Sequence, residues 1–187
     1  MKHMKLVILA AGLLIAAAAA RAQEKKMEAP KPGAEVKKLD YFNGNWHSEG
    51  DMKAGPWGAG GKFSGDSHCT WMSGGFFLVC TETGTGPMGK MHSMSVLGYD
   101  AAAKAYTYNG FNSMGENEHA NGSVDGKTWT YTNESMMNGK TMKGRYTMTE
   151  TSPTGYDFKF ETSEDGKTWG SMMEGKVTKK AAAEKKM

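Results

Sequence analysis

Residues 69–80 read Cys69-Thr70-Trp71-Met72-Ser73-Gly74-Gly75-Phe76-Phe77-Leu78-Val79-Cys80. Gly74-Gly75 is a two-residue hairpin signal, because both central residues of a type I′ turn need positive φ. Folding the chain about that pair sets Ser73 against Phe76, Trp71 against Leu78 and Cys69 against Cys80. The only two cysteines of the chain then face each other on neighbouring antiparallel strands. Opposed Cα atoms there lie ~4.5–5.5 Å apart, a spacing that allows a disulfide.

Alternating polar and apolar segments continue on both sides of this hairpin. They run over 45–52, 62–72, 76–83, 92–99, 105–111, 117–124, 127–133, 141–149, 156–162 and 167–177. Asp125-Gly126, Asn138-Gly139 and Asp165-Gly166 mark further tight turns. The Gly-rich run 54–61 and Asp100-Ala-Ala-Ala103 supply two more connections. About ten short strands at regular spacing specify an all-β antiparallel fold. Closure into an up-and-down β-barrel removes the exposed edges of an open sheet. Helical spacing is confined to 34–42, a short N-terminal helix with Leu39 and Phe42 on one side.

The alternation separates two faces. Met142, Gly144, Tyr146 and Met148 share one face of their strand, with Lys143, Arg145 and Thr147 on the other. Tyr156, Phe158 and Phe160 oppose Asp157, Lys159 and Glu161, and Trp129 and Tyr131 oppose Thr128, Thr130 and Thr132. A slip of one residue would move these aromatics into water, so the register is strongly specified. The inward set is aromatic and Met-rich, as small-molecule pockets are. Trp46, Trp71, Tyr108, Trp129, Tyr146, Phe158, Phe160, Trp169 and Met173 are therefore candidate wall residues for a small apolar or amphipathic molecule. The same residues describe a filled core equally well, and no polar anchor stands out. A ten-strand barrel keeps a cavity unless large side chains fill it. Asp-Gly-Lys-Thr-Trp occurs at 125–129 and again at 165–169. It reads as two hairpin turns, each followed by an inward Trp.

Residues 1–22 have the pattern of a secretory signal peptide. Lys2 and Lys5 precede an uncharged apolar run, and Ala20-Arg21-Ala22 is a small-x-small cleavage site. The run is too short to span ~30 Å of hydrocarbon comfortably, so cleavage before Gln23 is expected, with no stable membrane insertion afterwards. The expected destination is the bacterial periplasm or the exterior, where a disulfide persists. The chain carries 23 Lys+Arg against 20 Asp+Glu. Losing Lys2, Lys5 and Arg21 brings these level, leaving no electrostatic ground for binding nucleic acid or an anionic membrane. Residues 23–35 read as a flexible lead-in, 36–178 as one β-barrel domain and 179–187 as a charged tail.

Gly44-Asn45-Trp46, opening the first strand, resembles the Gly-x-Trp signature of lipocalins and other calycins, in which the Trp closes the barrel floor. A longer pattern comprises Phe42-Asn-Gly-Asn-Trp46, Trp71-Met-Ser-Gly-Gly-Phe-Phe77, Leu97-Gly-Tyr-Asp100, Ser113-Met-Gly115, Asp165-Gly-Lys-Thr-Trp169 and Met172-Met-Glu174. It resembles the bacterial domain-of-unknown-function family 1579, over about residues 39–179. The resemblance implies a calycin-like, lipocalin-like barrel and no activity. Ten strands are nearer to fatty-acid-binding barrels than to eight-stranded ones.

Other candidate chemistry is sparse. Gly84-Thr-Gly-Pro-Met-Gly-Lys90 has phosphate-loop spacing, but such a loop must open a helix, and a strand follows here. Met88, Met91, His92 and Met94 offer thioethers and an imidazole suited to Cu(I). On a strand Met91 points away from His92 and Met94, so only a loop conformation unites them. Copper binding is therefore the runner-up reading, and a structural module of the envelope is the third. No activated nucleophile or acid–base pair is identifiable, so neither an enzyme nor a cofactor is expected.

Overall fold

The structure, a computed structural model, describes residues 29–55, 58–137 and 139–181. The expected signal peptide, residues 1–22, lies outside them, as do residues 23–28 of the lead-in and 182–187 of the tail. The described residues belong almost wholly to one compact unit, Lys31–Met187. A short helix α1 (Ala34–Lys38) and a 3₁₀ turn (Leu39–Phe42) precede ten strands. These are β1 (Gly44–Met52), β2 (Gly61–Trp71), β3 (Leu78–Gly86), β4 (Gly89–Asp100), β5 (Ala105–Asn112), β6 (Asn117–Asp125), β7 (Thr128–Met137), β8 (Lys140–Ser152), β9 (Gly155–Ser163) and β10 (Gly170–Lys179). Each strand pairs antiparallel with the next, and β1 pairs with β10 to close an up-and-down barrel. Among the described residues no helix is long and apolar enough to cross a membrane.

The organising hairpin has the expected register. Trp71 lies opposite Leu78, and Cys69 opposite Cys80. The two cysteines form a disulfide, their Cα atoms 4.0 Å apart. The connection is longer than a two-residue turn. Met72 N–H donates to the Phe77 carbonyl and Gly75 N–H to the Met72 carbonyl, both at 2.9 Å. The chain thus turns tightly over Ser73-Gly74. Gly75 and Phe76 complete a four-residue loop, with Gly74 at φ +95° and Gly75 at φ +72°.

The two Asp-Gly-Lys-Thr-Trp copies fold differently, which corrects the expectation of two equivalent hairpins. In the first, Asp125 pairs with Thr128, leaving Gly126 and Lys127 as the loop. Gly126 has φ +56° and Lys127 a negative φ, the φ pattern of a type II′ turn. Trp129 then enters the barrel and is 1% exposed. In the second, β9 ends at Ser163 and β10 begins only at Gly170. The Asp165 carboxylate accepts the N–H groups of Thr168 and Lys167 at 2.8 and 2.7 Å. These bonds hold its carboxyl down at about 2. The longer loop leaves Trp169 outside the barrel, where its ring lies 4.0 Å from the Arg145 guanidinium. Arg145 in turn pairs with Glu161 at 2.8 Å.

The helical lead-in seals one end of the barrel. Leu39 and Phe42 are buried in this floor, each burial contributing roughly 1.5–3 kcal/mol. The Phe42 ring packs 5.1 Å from Trp129 and 5.7 Å from Tyr156. Polar tips around the floor find partners, as buried Trp and Tyr require. Trp46 Nε1 donates to the Phe42 carbonyl at 2.8 Å, Trp71 Nε1 to Asp40 Oδ1 at 2.8 Å, and Tyr106 Oη to Glu35 Oε2 at 2.7 Å. Trp46 is therefore part of the floor.

Glycine closes the wall. Gly50 of β1 lies opposite Gly175 of β10. A β-carbon at Gly50 would strike the Glu174 carbonyl oxygen and come within 2.7 Å of the Phe63 ring. The close approach of β1 and β10 at this point thus depends on the missing side chains.

Candidate functional site: the barrel lumen

The barrel interior is not filled. Above the floor lies a cavity of about 440 Å³, within the ~300–1,000 Å³ range of small-molecule pockets. Of the expected wall residues, Trp46, Tyr108, Tyr146, Phe158, Phe160 and Met173 line it. Trp71 and Trp129 instead pack into the floor cluster, and Trp169 is outside, so these three are not wall residues. The alternation that directs Tyr146 and Phe158 inward also stacks their rings, with centroids 5.6 Å apart.

The Met cluster does not assemble. Met91 follows the inward alternation of β4 and lines the cavity, while His92 and Met94 lie on the opposite, exposed face. Met88 sits in the turn between β3 and β4 at the barrel mouth. Strand geometry, with successive side chains on opposite faces, separates the four. Among the described residues no group of three or more His, Cys, Asp or Glu side chains is placed to hold a metal ion.

Polar groups that the sequence did not flag stand inside the lumen. Glu82 lies on the inward face of β3 with Leu78 and Cys80, opposite Ser67 of β2 and Ser93 of β4. Glu118 lies on the inward face of β6, opposite Gly110, and accepts a hydrogen bond from Asn133 Nδ2 at 2.7 Å. Glu82 is half-buried, whereas Glu118 keeps exposed surface and borders both the lumen and an outer hollow. Burial pushes both up. The Ser48 hydroxyl pulls Glu82 partway back, and the charge of Glu116 adds to the rise at Glu118. Tyr108 is pushed up to about 12, by burial first and then by Glu118 and Glu82. Tyr146 rises well above the usual phenol value for the same first reason, with Tyr156, Glu82, Tyr108 and Glu118 adding to it. Two tyrosines thus lie within electrostatic reach of both carboxyls. The Tyr131 hydroxyl is buried without a hydrogen-bond partner. One sequence signal does point to Glu82: it is a charged residue in phase with Leu78 and Cys80. Glu118 has the same phase relation to Ala120.

The wall also has a gap. Pairing of β6 with β7 ends at Asn121–Thr132. Beyond that point β6 stays paired with β5 as far as Asn117, and β7 with β8 as far as Met137. The two strands therefore part toward the mouth. An outer hollow of about 740 Å³ borders this gap, and Glu118 and Asn133 line both it and the lumen. Their hydrogen bond is a side-chain bridge across strands that the backbone no longer joins.

The raised Glu82 carboxyl predicts a pH dependence of stability. An acid whose folded pKa exceeds its unfolded value binds more protons in the folded state. Stability therefore falls as pH rises from the ordinary carboxylate range through the raised value. Glu82→Gln is expected to raise the thermal midpoint at pH 8 by a few degrees, since ~1 kcal/mol moves a domain of this size by about 2–4 °C. The gain should vanish near pH 4. Thermal melts of both proteins at the two pH values test this; a midpoint difference that is the same at both would refute it.

No curated protein matches the sequence. Among solved structures, Rv2717c from M. tuberculosis superposes with a TM-score of 0.55 at 11% identity, covering 80% of this chain and 99% of that one. That likeness shows the barrel fold. A looser one, with a TM-score of 0.41 at 12% identity, is to EF1p2_mFAP2b, described as bound to DFHBI, and covers 78% of this chain and 98% of that one. The family model described as "Protein of unknown function (DUF1579)" matches residues 31–179, from just before the floor helix to the last residue of β10. The chain therefore belongs to the DUF1579 family of uncharacterised barrel proteins.

Proposed function

We propose that this protein is an exported, non-enzymatic carrier that encloses one small apolar or amphipathic molecule in the barrel lumen. The observation that carries this reading is the 440 Å³ cavity, walled by aromatic and Met side chains above a sealed floor. Export is supported by the signal-peptide pattern of residues 1–22 and by the disulfide. The outward faces of β8 and β9 carry Lys143, Arg145, Asp157, Lys159 and Glu161. A membrane barrel needs an apolar outer band, so the reading includes a water-soluble barrel.

Nile red, a neutral apolar dye, tests the lumen. Saturable one-to-one binding is expected, followed by fluorescence. Filling the cavity should weaken it at least tenfold in Ser95→Trp, at mid-lumen, and in Met91→Trp, nearer the mouth. Melting curves identify a variant that has lost its fold. Absence of saturable binding, or binding unchanged in both folded variants, would remove the lumen as the site.

A further inference from the structure

Resting on the lumen as the ligand site, we propose that its ligand is an organic amine carrying one positive charge, with the ammonium on the Glu82 and Glu118 side and the apolar body against Trp46, Met148 and Phe158.

Charge is the first ground. Three charged side chains line the lumen among the described residues, Glu82, Glu116 and Glu118, and all are acids; no lysine, arginine or histidine joins them. This is not a matter of composition, because the outer surface pairs its acids with bases. Glu161 meets Arg145 at 2.8 Å and Lys159 at 2.6 Å, and Glu164 meets Lys140 at 3.0 Å. Inside, Glu82 bonds to a hydroxyl and Glu118 to an amide, neither of which carries charge. A buried carboxylate is costly unless paired, which applies to Glu82 inside the lumen, and burial has pushed up both Glu82 and, at the lumen's open side, Glu118. A cation entering the lumen supplies the missing partner. A carboxylate ligand would meet like charge from Glu82 inside and from Glu116 and Glu118 toward the mouth, which is discrimination by repulsion.

The second ground is independent of the acids. Tyr131 is 4% exposed, lines the cavity and has no partner for its hydroxyl. Buried hydroxyls are ordinarily partnered, so an unpartnered one in the cavity wall is a polar group that the protein itself leaves unsatisfied. The third is the wall itself. Tyr108, Tyr146, Tyr156 and Trp46 present aromatic rings to the lumen, and aromatic faces attract organic cations, most strongly when both are desolvated.

A matched set of ligands isolates the charge: 2-(1-naphthyl)ethylamine, 2-(1-naphthyl)ethanol and 1-naphthylacetate, each displacing Nile red from the oxidised mature chain at pH 7.5. The amine is expected to bind at least tenfold tighter than the carboxylate and several-fold tighter than the alcohol. In Glu82→Gln/Glu118→Gln the amine-to-alcohol affinity ratio should fall to about one. The two single variants are expected to give intermediate ratios and serve if the double variant does not fold. Equal or tighter carboxylate binding, or an amine preference retained in the folded variants, would overturn the proposal while leaving the carrier reading intact. If Nile red itself does not bind, the carrier reading fails and this one with it.

Discussion

Trp129→Ala is expected to cost about 3–5 kcal/mol of folding stability, the range for removing a fully buried aromatic side chain. The indole is 1% exposed. Its ring lies 4.9 Å from Tyr106 and 5.1 Å from Phe42. Its Nε1 donates to Glu150 Oε1 at 2.7 Å. Truncation would leave a cavity beneath the helical plug and deprive Glu150 of its donor, so packing and polar losses act together. Trp169→Ala supplies the control, because the same pentapeptide precedes it. Trp169 is half-buried on the outer surface against Arg145, and its loss should cost only ~0.5–1 kcal/mol. Urea unfolding of the two variants measures the contrast. Comparable losses would mean that the floor is not the stabilising centre of the barrel.

Removing the disulfide should have the second largest effect. In the chain-entropy model, closing a loop of about 12 residues is worth up to ~3 kcal/mol. Cys69 and Cys80 enclose the loop 73–76 on adjacent strands, so the bond constrains the unfolded hairpin. Cys69→Ala/Cys80→Ala, or reduction of the native chain, is expected to lower the urea midpoint by a corresponding amount. Circular dichroism at low denaturant should stay that of a β-barrel, because β1 and β4 still flank the hairpin. A midpoint identical with and without reductant would show that β1 and β4 already hold the hairpin without the bond.

These two predictions differ in where their information resides. The cysteine pairing is legible in twelve consecutive residues, because a turn and an alternation of period two are properties of near neighbours. The same locality made Tyr146, Phe158 and Phe160 readable as inward-facing and Leu39 and Phe42 as one side of a helix. It failed at Trp169. Asp165-Gly166 carries the same turn chemistry as Asp125-Gly126, but β9 and β10 resume pairing only at Thr162–Gly170. The partner strands, not the pentapeptide, set the loop length. The runner-up copper reading required a loop conformation to unite its four residues, and β4 instead runs through Met91, His92 and Met94 as a strand.

The sequence by itself determined the ten strands, most of their inward faces, the disulfide and the short N-terminal helix, since each follows from turn residues and periodicity within a short window. Only the tertiary structure decided that the lumen stays open, that Glu82 and Glu118 share it without a base, and that β6 parts from β7 beside Glu118. The reason is physical. An open volume is what remains after side chains from all ten strands have packed, and a carboxyl's surroundings are the sum of strands far apart in sequence.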